Sequence, residues 1–306
     1  MHHPVSRLAF PALIFANLFL AAGPWMVRLA QDVGHIGPVS AGFWRLALAI
    51  PFLAFLAMRQ GKGQPLPRWA LIAAVAAGGI FFAADLAAWH AGILNTKLAN
   101  ATLFGNFASF LFAIYGFILL RRLPRAPQTL ALLLAAGGTV LLLGNSYELS
   151  PEHFTGDLLA LLAGLFYTFY LIAVDRARRE MRPWPVLAIA TAAGALPLLG
   201  FALLMGEQVL PADWTPVVAL SISSQLVGQG LLVYAMGHLS PVIVGLCFLL
   251  QPLASAAIGW AVYGEALSVG DGIGALLICT ALVLIRLPDR RARTGPGLAS
   301  VPVEGQ

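Results

Sequence analysis

Residues 130–143 read LALLLAAGGTVLLL, and residues 275–285 read ALLICTALVLI. Each run is interrupted by a single threonine, and neither alternates between apolar and polar residues as a strand of a membrane β-barrel does. A helix needs about 20 apolar residues to cross a bilayer, and both runs lie inside apolar stretches of roughly that length. The two runs therefore predict membrane-spanning helices.

The rest of the chain has a similar composition. Of its 306 residues, 59% are hydrophobic and 10% are charged, whereas an ordinary soluble domain is roughly a quarter charged. This composition excludes a cytosolic enzyme, a disordered chain and a secreted mini-protein. We expect an all-α polytopic membrane protein with ten transmembrane helices. The predicted segments are 8–30, 38–58, 69–91, 97–120, 127–145, 155–175, 184–206, 212–236, 241–263 and 268–287.

The basic residues predict the orientation, because positively charged flanks stay on the cytoplasmic side. With the N-terminus inside, only Arg28 and Lys97 of the 18 basic residues fall outside, and Arg45 falls within the membrane. All the others fall on the cytoplasmic side. We therefore expect cytoplasmic N- and C-termini, a multi-pass protein of the bacterial inner membrane, and no nucleic-acid partner despite the net charge of +5.

The sequence also contains an internal repeat. The fourth and fifth segments align with the ninth and tenth at a constant offset, which places Ser109 on Pro252 and Arg121-Arg122 on Gly264-Glu265. Because each half then holds five helices, an odd number, the second half must be inverted. We expect a first repeat at 1–145, an inverted second repeat at 146–293 and a flexible cytoplasmic tail at 294–306. Inverted repeats favour alternating access around a central cavity between the halves.

The residues of the second half resemble the second repeat of the drug/metabolite transporter superfamily, EamA type. The motifs that carry the resemblance are Pro241, Leu250-Gln251-Pro252, Gly264-Glu265, Gly270 and Gly274, and Phe43-Trp44-Arg45-Leu46-Ala47 is similar to its second helix. The first half departs from the pattern, with Ser109 where a proline often stands and Arg121-Arg122 in place of Gly-Glu. Within the superfamily the chain is most similar to the YddG-type exporters. The resemblance implies a secondary transporter that exports small metabolites, most of all aromatic and other apolar amino acids.

Two ionisable residues lie deep in the predicted membrane segments. An ionisable group in a membrane costs about 2.5–3.5 kcal/mol on insertion scales, so such groups tend to face a cavity or each other. Arg45 and Asp85 are expected at a similar depth, about 12–15 Å below the outer surface. One hypothesis is that Arg45 binds the carboxylate of an amino acid and Asp85 its ammonium group. The alternative is a structural ion pair between two helices.

Further polar and aromatic side chains belong to the candidate site, and simpler roles stay open for each. The amides are also able to join helices, the tyrosines to pack in the bundle, and His90 to act as a gate, a proton-sensitive group or an interfacial side chain. Pro252 permits a helix kink. The predicted substrate-binding set is Asn17, Arg45, Asp85, Trp89, His90, Asn106, Tyr167, Tyr170, Gln225 and Gln229.

Other chemistry lacks its motifs. No G-x-x-x-x-G-K-[ST] loop or HExxH occurs, so we expect neither ATP hydrolysis nor a zinc protease. Cys247 and Cys279 lie in apolar runs, where a thiol usually behaves as a small hydrophobe, and we expect no metal or cofactor. Two alternatives stay open: an exporter of another small metabolite or drug, and a membrane-embedded enzyme or assembly subunit.

Overall fold

The computed structural model of the protein describes residues 7–62, 67–96, 101, 104–121, 123–144, 151–263 and 268–285. All regular structure in these ranges is helical. Several features used above lie outside the described residues, namely Lys97, Arg122, Gly264-Glu265 and the predicted tail 294–306.

Within the described ranges the helices form ten apolar segments, numbered in chain order. Segments 1, 2 and 9 each consist of two consecutive helices, and segment 8 contains a π-helical stretch. The bounds are segment 1, Ala9–Ala21 and Gly23–Asp32; segment 2, Pro38–Ala47 and Ile50–Gly61; segment 3, Trp69–Asn95; segment 4, Phe107–Leu120; segment 5, Ala126–Gly144; segment 6, Phe154–Ala177; segment 7, Pro183–Leu204; segment 8, Thr215–Met236; segment 9, Pro241–Cys247 and Leu250–Tyr263; and segment 10, Val269–Leu284.

Seven of these segments are long and apolar enough to cross a membrane within the described part of the chain, which confirms a multi-pass membrane protein. They are segments 1, 2, 3, 6, 7, 8 and 9. Segments 4, 5 and 10 are apolar but shorter over the residues that the structure describes. Ten crossings therefore stay a prediction.

Proline accounts for the division of segments 1, 2 and 9, because it lacks the N–H that an α-helix needs at each internal position. Pro24 and Pro51 each stand at the start of the second helix of their segment. In segment 9 the break lies at 248–249, one turn before Pro252. The carbonyl of Phe248, which Pro252 cannot bind, accepts the backbone N–H of Gln251 at 2.9 Å instead.

The principal helix contacts repeat between the two halves of the chain. Segment 3 packs on segment 6 as segment 8 packs on segment 1, and segment 4 packs on segment 6 as segment 9 packs on segment 1. Three further pairs join a segment to its own counterpart: segment 2 packs on segment 7, segment 4 on segment 9, and segment 5 on segment 10. Exchanging segments 1–5 for segments 6–10 therefore reproduces this contact pattern.

A loop between segments 7 and 8 holds the start of segment 2. The carboxylate of Glu207 accepts the backbone N–H groups of Val39 at 3.1 Å and Ser40 at 2.7 Å. A negative charge is favourable there because the first N–H groups of a helix lack intrahelical partners. The indole N–H of Trp44 donates to the carbonyl of Val209 at 2.7 Å. Both contacts fix the helix that carries Arg45.

Segments 3 and 7 approach closely through glycine. A Cβ atom at Gly194 would lie 2.6 Å from the carbonyl oxygen of Gly79, whereas one at Gly200 would meet nothing within 4 Å. Small residues at such contacts let helix backbones pack tightly in a membrane.

We expect Gly194→Ala to destabilise the protein by about 1–3 kcal/mol, because the added methyl group must push segments 3 and 7 apart. Gly200→Ala in the same helix is the matched control, and it should leave stability unchanged or raise it, since alanine favours the helix. Thermal unfolding of the purified protein in detergent measures both. Equal melting temperatures for the two variants would contradict the proposed role of this contact.

Candidate substrate cavity

A cavity of about 250 Å³ lies between segments 1, 2, 3, 4, 6, 8 and 9. This volume lies just below the range of about 300–1,000 Å³ that is typical of pockets for drug-sized ligands. Its size suits a small metabolite. Seven residues of the predicted binding set line it, as does Pro252: Arg45, Asp85, Trp89, His90, Asn106, Tyr167 and Gln229.

The other three predicted residues stand behind the cavity wall. Asn17, Tyr170 and Gln225 do not line the cavity, but each forms a hydrogen bond to a side chain that does. All three are almost fully buried. Their position is that of residues that orient the lining groups.

Arg45 is anchored by one atom of its guanidinium. Its Nε donates to Oε1 of Gln225 at 3.1 Å, and Nε2 of Gln225 donates in turn to Oγ1 of Thr191 at 2.8 Å. The guanidinium carbon also lies 5.4 Å from the ring centre of Phe82, within cation–π range. The two terminal nitrogens hydrogen-bond to none of the residues that the structure describes. They are therefore the part of Arg45 that is able to bind a ligand.

Asp85 lines the same cavity as Arg45 and is half-buried. Within the described ranges, no hydrogen bond or ion pair within 4 Å joins the two residues. The direct pair suggested by the sequence is therefore not formed in this structure. The cavity instead presents a cation and a carboxylate that are separate from each other.

Stacked aromatic rings form one wall of the cavity. Phe82 stacks on Tyr170 with ring centres 4.7 Å apart, and Tyr167 lies edge-on to Phe248 at 5.6 Å. The hydroxyl of Tyr170 donates to Oε1 of Gln229 at 3.0 Å. This bond joins the aromatic wall to segment 8.

Trp89 and His90 lie together at another part of the cavity lining, with ring centres 5.4 Å apart in an edge-on arrangement. His90 is only 4% exposed. It is therefore buried within the protein, and the gating, proton-sensitive and interfacial hypotheses all stay open.

Comparison with known proteins identifies the family. The EamA-like transporter family matches residues 8–144 and, a second time, residues 154–287. The chain belongs to the EamA-like transporter family. The double match shows that the family unit occurs once in each half of this transporter.

Two relatives are transporters, and a solved structure has the same fold. The transporter is 26% identical over 251 residues to the pseudopaline exporter CntI of Pseudomonas aeruginosa (strain UCBPP-PA14), covering 78% of this chain and 84% of the relative. It is 24% identical to an uncharacterized transporter of Archaeoglobus fulgidus, covering 67% and 73%. A crystal structure of another protein has the same fold, with a TM-score of 0.75 at 21% identity over 92% of this chain and 98% of that one. A YddG-type aromatic specificity stays a prediction.

Four polar residues at or near the cavity of this EamA-family transporter were absent from the predicted set, and one of them, Ser109, lines the cavity on segment 4. Gln251 and Ser255 line the cavity on segment 9, and Thr191 supports Gln225 from segment 7. Gln251 and Ser255 are four residues apart on one helix, a spacing that places them on one face. Thr191 gave a weaker signal, since a single threonine in an apolar helix often bonds its own backbone.

Further polar contacts join segment 6 to segments 4 and 8 outside the cavity lining. The carboxylate of Asp175 accepts the hydroxyl of Tyr115 at 3.0 Å and a guanidinium N–H of Arg179 at 2.7 Å. Arg178, just beyond segment 6, donates from Nε to the carbonyl of Val233 at 2.7 Å. Burial lowers the pKa of Arg178 to about 10, so it stays cationic at neutral pH. None of these four side chains lines the cavity.

We expect Gln225→Leu to destabilise the transporter, because it leaves the buried Nε of Arg45 without a partner. In a double-mutant cycle with Arg45→Met, the coupling should be about 1.5–3 kcal/mol, the usual contribution of a hydrogen bond to a charged group. Unfolding of the four proteins in detergent provides the measurement. The matched control is Gln31→Leu, an exposed glutamine, whose effect should add to that of Arg45→Met. Additive effects of Gln225→Leu and Arg45→Met would argue against the hydrogen bond.

Proposed function

We propose that this EamA-family protein is a secondary transporter that exports small zwitterionic metabolites, most of all aromatic and other apolar amino acids. The observation that carries the proposal is the unpaired arrangement of Arg45 and Asp85 in one cavity. A guanidinium with two unoccupied N–H-bearing nitrogens matches a carboxylate, and a carboxylate matches an ammonium group.

The wall of the cavity supports an apolar or aromatic substrate side chain. Phe82, Tyr167 and Phe248 together present ring faces and edges to the cavity. Aromatic rings bury a large apolar area and prefer offset or edge-on partners. Arg45 and Asp85 favour a zwitterion over a neutral drug. Amino acid export is therefore the first candidate, and export of another metabolite or drug is the second.

The transport cycle we propose is alternating access between two inverted five-helix repeats. It is supported by the double family match and by the helix contacts that repeat when the halves are exchanged. Two like halves have two equivalent packings that exchange inside and outside. Export as the direction is supported by the relative named as a pseudopaline exporter. The proposal also places the protein in the bacterial inner membrane, with both termini in the cytoplasm and the site between the two halves.

Uptake of radiolabelled tryptophan into proteoliposomes that contain the purified protein tests the proposal. Saturable uptake above that of empty liposomes is expected. Tryptamine, which lacks the carboxylate, should compete at least about tenfold less well, because it cannot bind the guanidinium of Arg45. In Arg45→Gln the ratio of the inhibition constants of tryptamine and tryptophan should fall toward one. Absence of flux in folded protein, for tryptophan, phenylalanine and methionine alike, would refute amino acid transport and favour the other metabolite or the non-transport alternatives.

We expect Asp85→Asn to weaken zwitterion transport by about tenfold or more, because the substrate ammonium then loses its charged partner. Asp32→Asn is the matched control, since it removes the same charge from an exposed position at the end of segment 1. Apparent affinity and maximal rate of tryptophan uptake are measured for both variants. If Asp85→Asn transports tryptophan as the wild-type protein does, Asp85 has no part in the site.

A further inference from the structure

One wall of the cavity, formed by segment 9, offers hydrogen-bond acceptors. Gln251 and Ser255 both line the cavity from this wall. Each is held from behind by segment 1, through Asn17 and the carbonyl of Ala21. The direction of these bonds decides what each side chain has left for a ligand.

The orientation of Gln251 follows from a short relay of hydrogen bonds. Nδ2 of Asn17 donates to the carbonyl of Leu13 at 2.8 Å, and because a carbonyl only accepts, the amide of Asn17 cannot be reversed without losing this bond. Oδ1 of Asn17 therefore faces Gln251 and accepts its Nε2 at 3.0 Å. The remaining polar atom of Gln251, the acceptor Oε1, hydrogen-bonds to none of the described residues.

The side chain of Ser255 also donates a hydrogen bond to segment 1. Its hydroxyl donates to the carbonyl of Ala21 across a long 3.4 Å contact. A hydroxyl that has used its proton keeps only its lone pairs for other partners. Among its cavity-lining groups, segment 9 therefore has an amide oxygen without a partner in the described residues and a hydroxyl oxygen with lone pairs left, whereas segment 1 takes one N–H of Gln251 and the hydroxyl proton of Ser255.

We infer that this wall is a subsite for a hydrogen-bond donor on the substrate side chain, with Gln251 as the residue that determines specificity. The inference rests on the proposed function. Among aromatic amino acids it predicts a preference for tyrosine, with its phenolic hydroxyl, and for tryptophan, with its indole N–H, over phenylalanine, which has neither. Phenylalanine would bury the Oε1 of Gln251 without a partner, and an unpaired buried polar group is costly.

Competition by tyrosine and phenylalanine against labelled tryptophan uptake tests the inference, because the two competitors differ by one hydroxyl. The ratio of their inhibition constants does not depend on the amount of active protein. In the wild-type protein tyrosine should compete about tenfold better, the factor that one hydrogen bond to a buried group commonly contributes. In Gln251→Leu the ratio should fall to about one, and in the matched control Gln31→Leu it should stay at the wild-type value.

Asn17→Leu is the second variant, and it serves if Gln251→Leu does not fold. Without Asn17 the amide of Gln251 is able to rotate, so the preference for tyrosine should decrease although Gln251 is still present. Equal competition by tyrosine and phenylalanine in the wild-type protein would overturn the inference and leave the proposed function standing. A tyrosine preference that survives both Gln251→Leu and Asn17→Leu would overturn it as well. Absence of tryptophan uptake altogether would instead refute the proposed function, and this inference with it.

Discussion

A guanidinium inside an apolar helix bundle is the constraint on which the rest of the site depends. Arg45 is only 9% exposed, and a buried charge is tolerated only with partners that replace water. Segment 8 provides one, since Gln225 accepts the Nε of Arg45. Ser221 of the same segment holds the helix that carries Arg45, because it donates to the backbone carbonyl of Arg45 at 3.0 Å. Thr191 of segment 7 completes the chain of bonds. Gln225 binds the Nε of the guanidinium, and the two terminal nitrogens hydrogen-bond to none of the described residues.

The bundle is irregular where it surrounds this charge. Segment 8 is π-helical from Ser221 to Gly228, the stretch that contains both partners of Arg45. A π-helix is rare and frequently occurs at functional sites. Segments 1 and 9 are interrupted beside Pro24 and Pro252, and both prolines line the cavity. In a membrane, non-helical backbone is tolerated only where protein or a polar cavity surrounds it, so the broken helices and the cavity occur together.

The sequence alone was sufficient to predict those site residues whose type is rare in a membrane segment. Arg45 and Asp85 stand out because charged residues are scarce in apolar segments, and both line the cavity. The long apolar runs of the sequence likewise predict the helical segments. The sequence could not show that Arg45 and Asp85 stay apart, because that depends on Gln225, which is 180 residues away from Arg45. It could not orient Gln251 either, since Asn17 is 234 residues away. Such long-range partners decide which atom of a side chain a ligand meets, and residue type alone does not.

The same long-range hydrogen bonds connect the two halves of the chain, each of which matches the family model once. Arg45 in the first match is held by Gln225 in the second, Gln251 in the second is held by Asn17 in the first, and Glu207 caps the start of segment 2. Each half thus orients ligand-facing atoms that belong to the other half. A rearrangement that moves the halves apart must break or replace these bonds, because their length leaves no slack for helix displacements of several ångströms. The chemistry that the cavity offers to a substrate is for this reason tied to the relative position of the halves, and a side chain such as Gln251 keeps its acceptor toward the cavity only while segments 1 and 9 stay in contact.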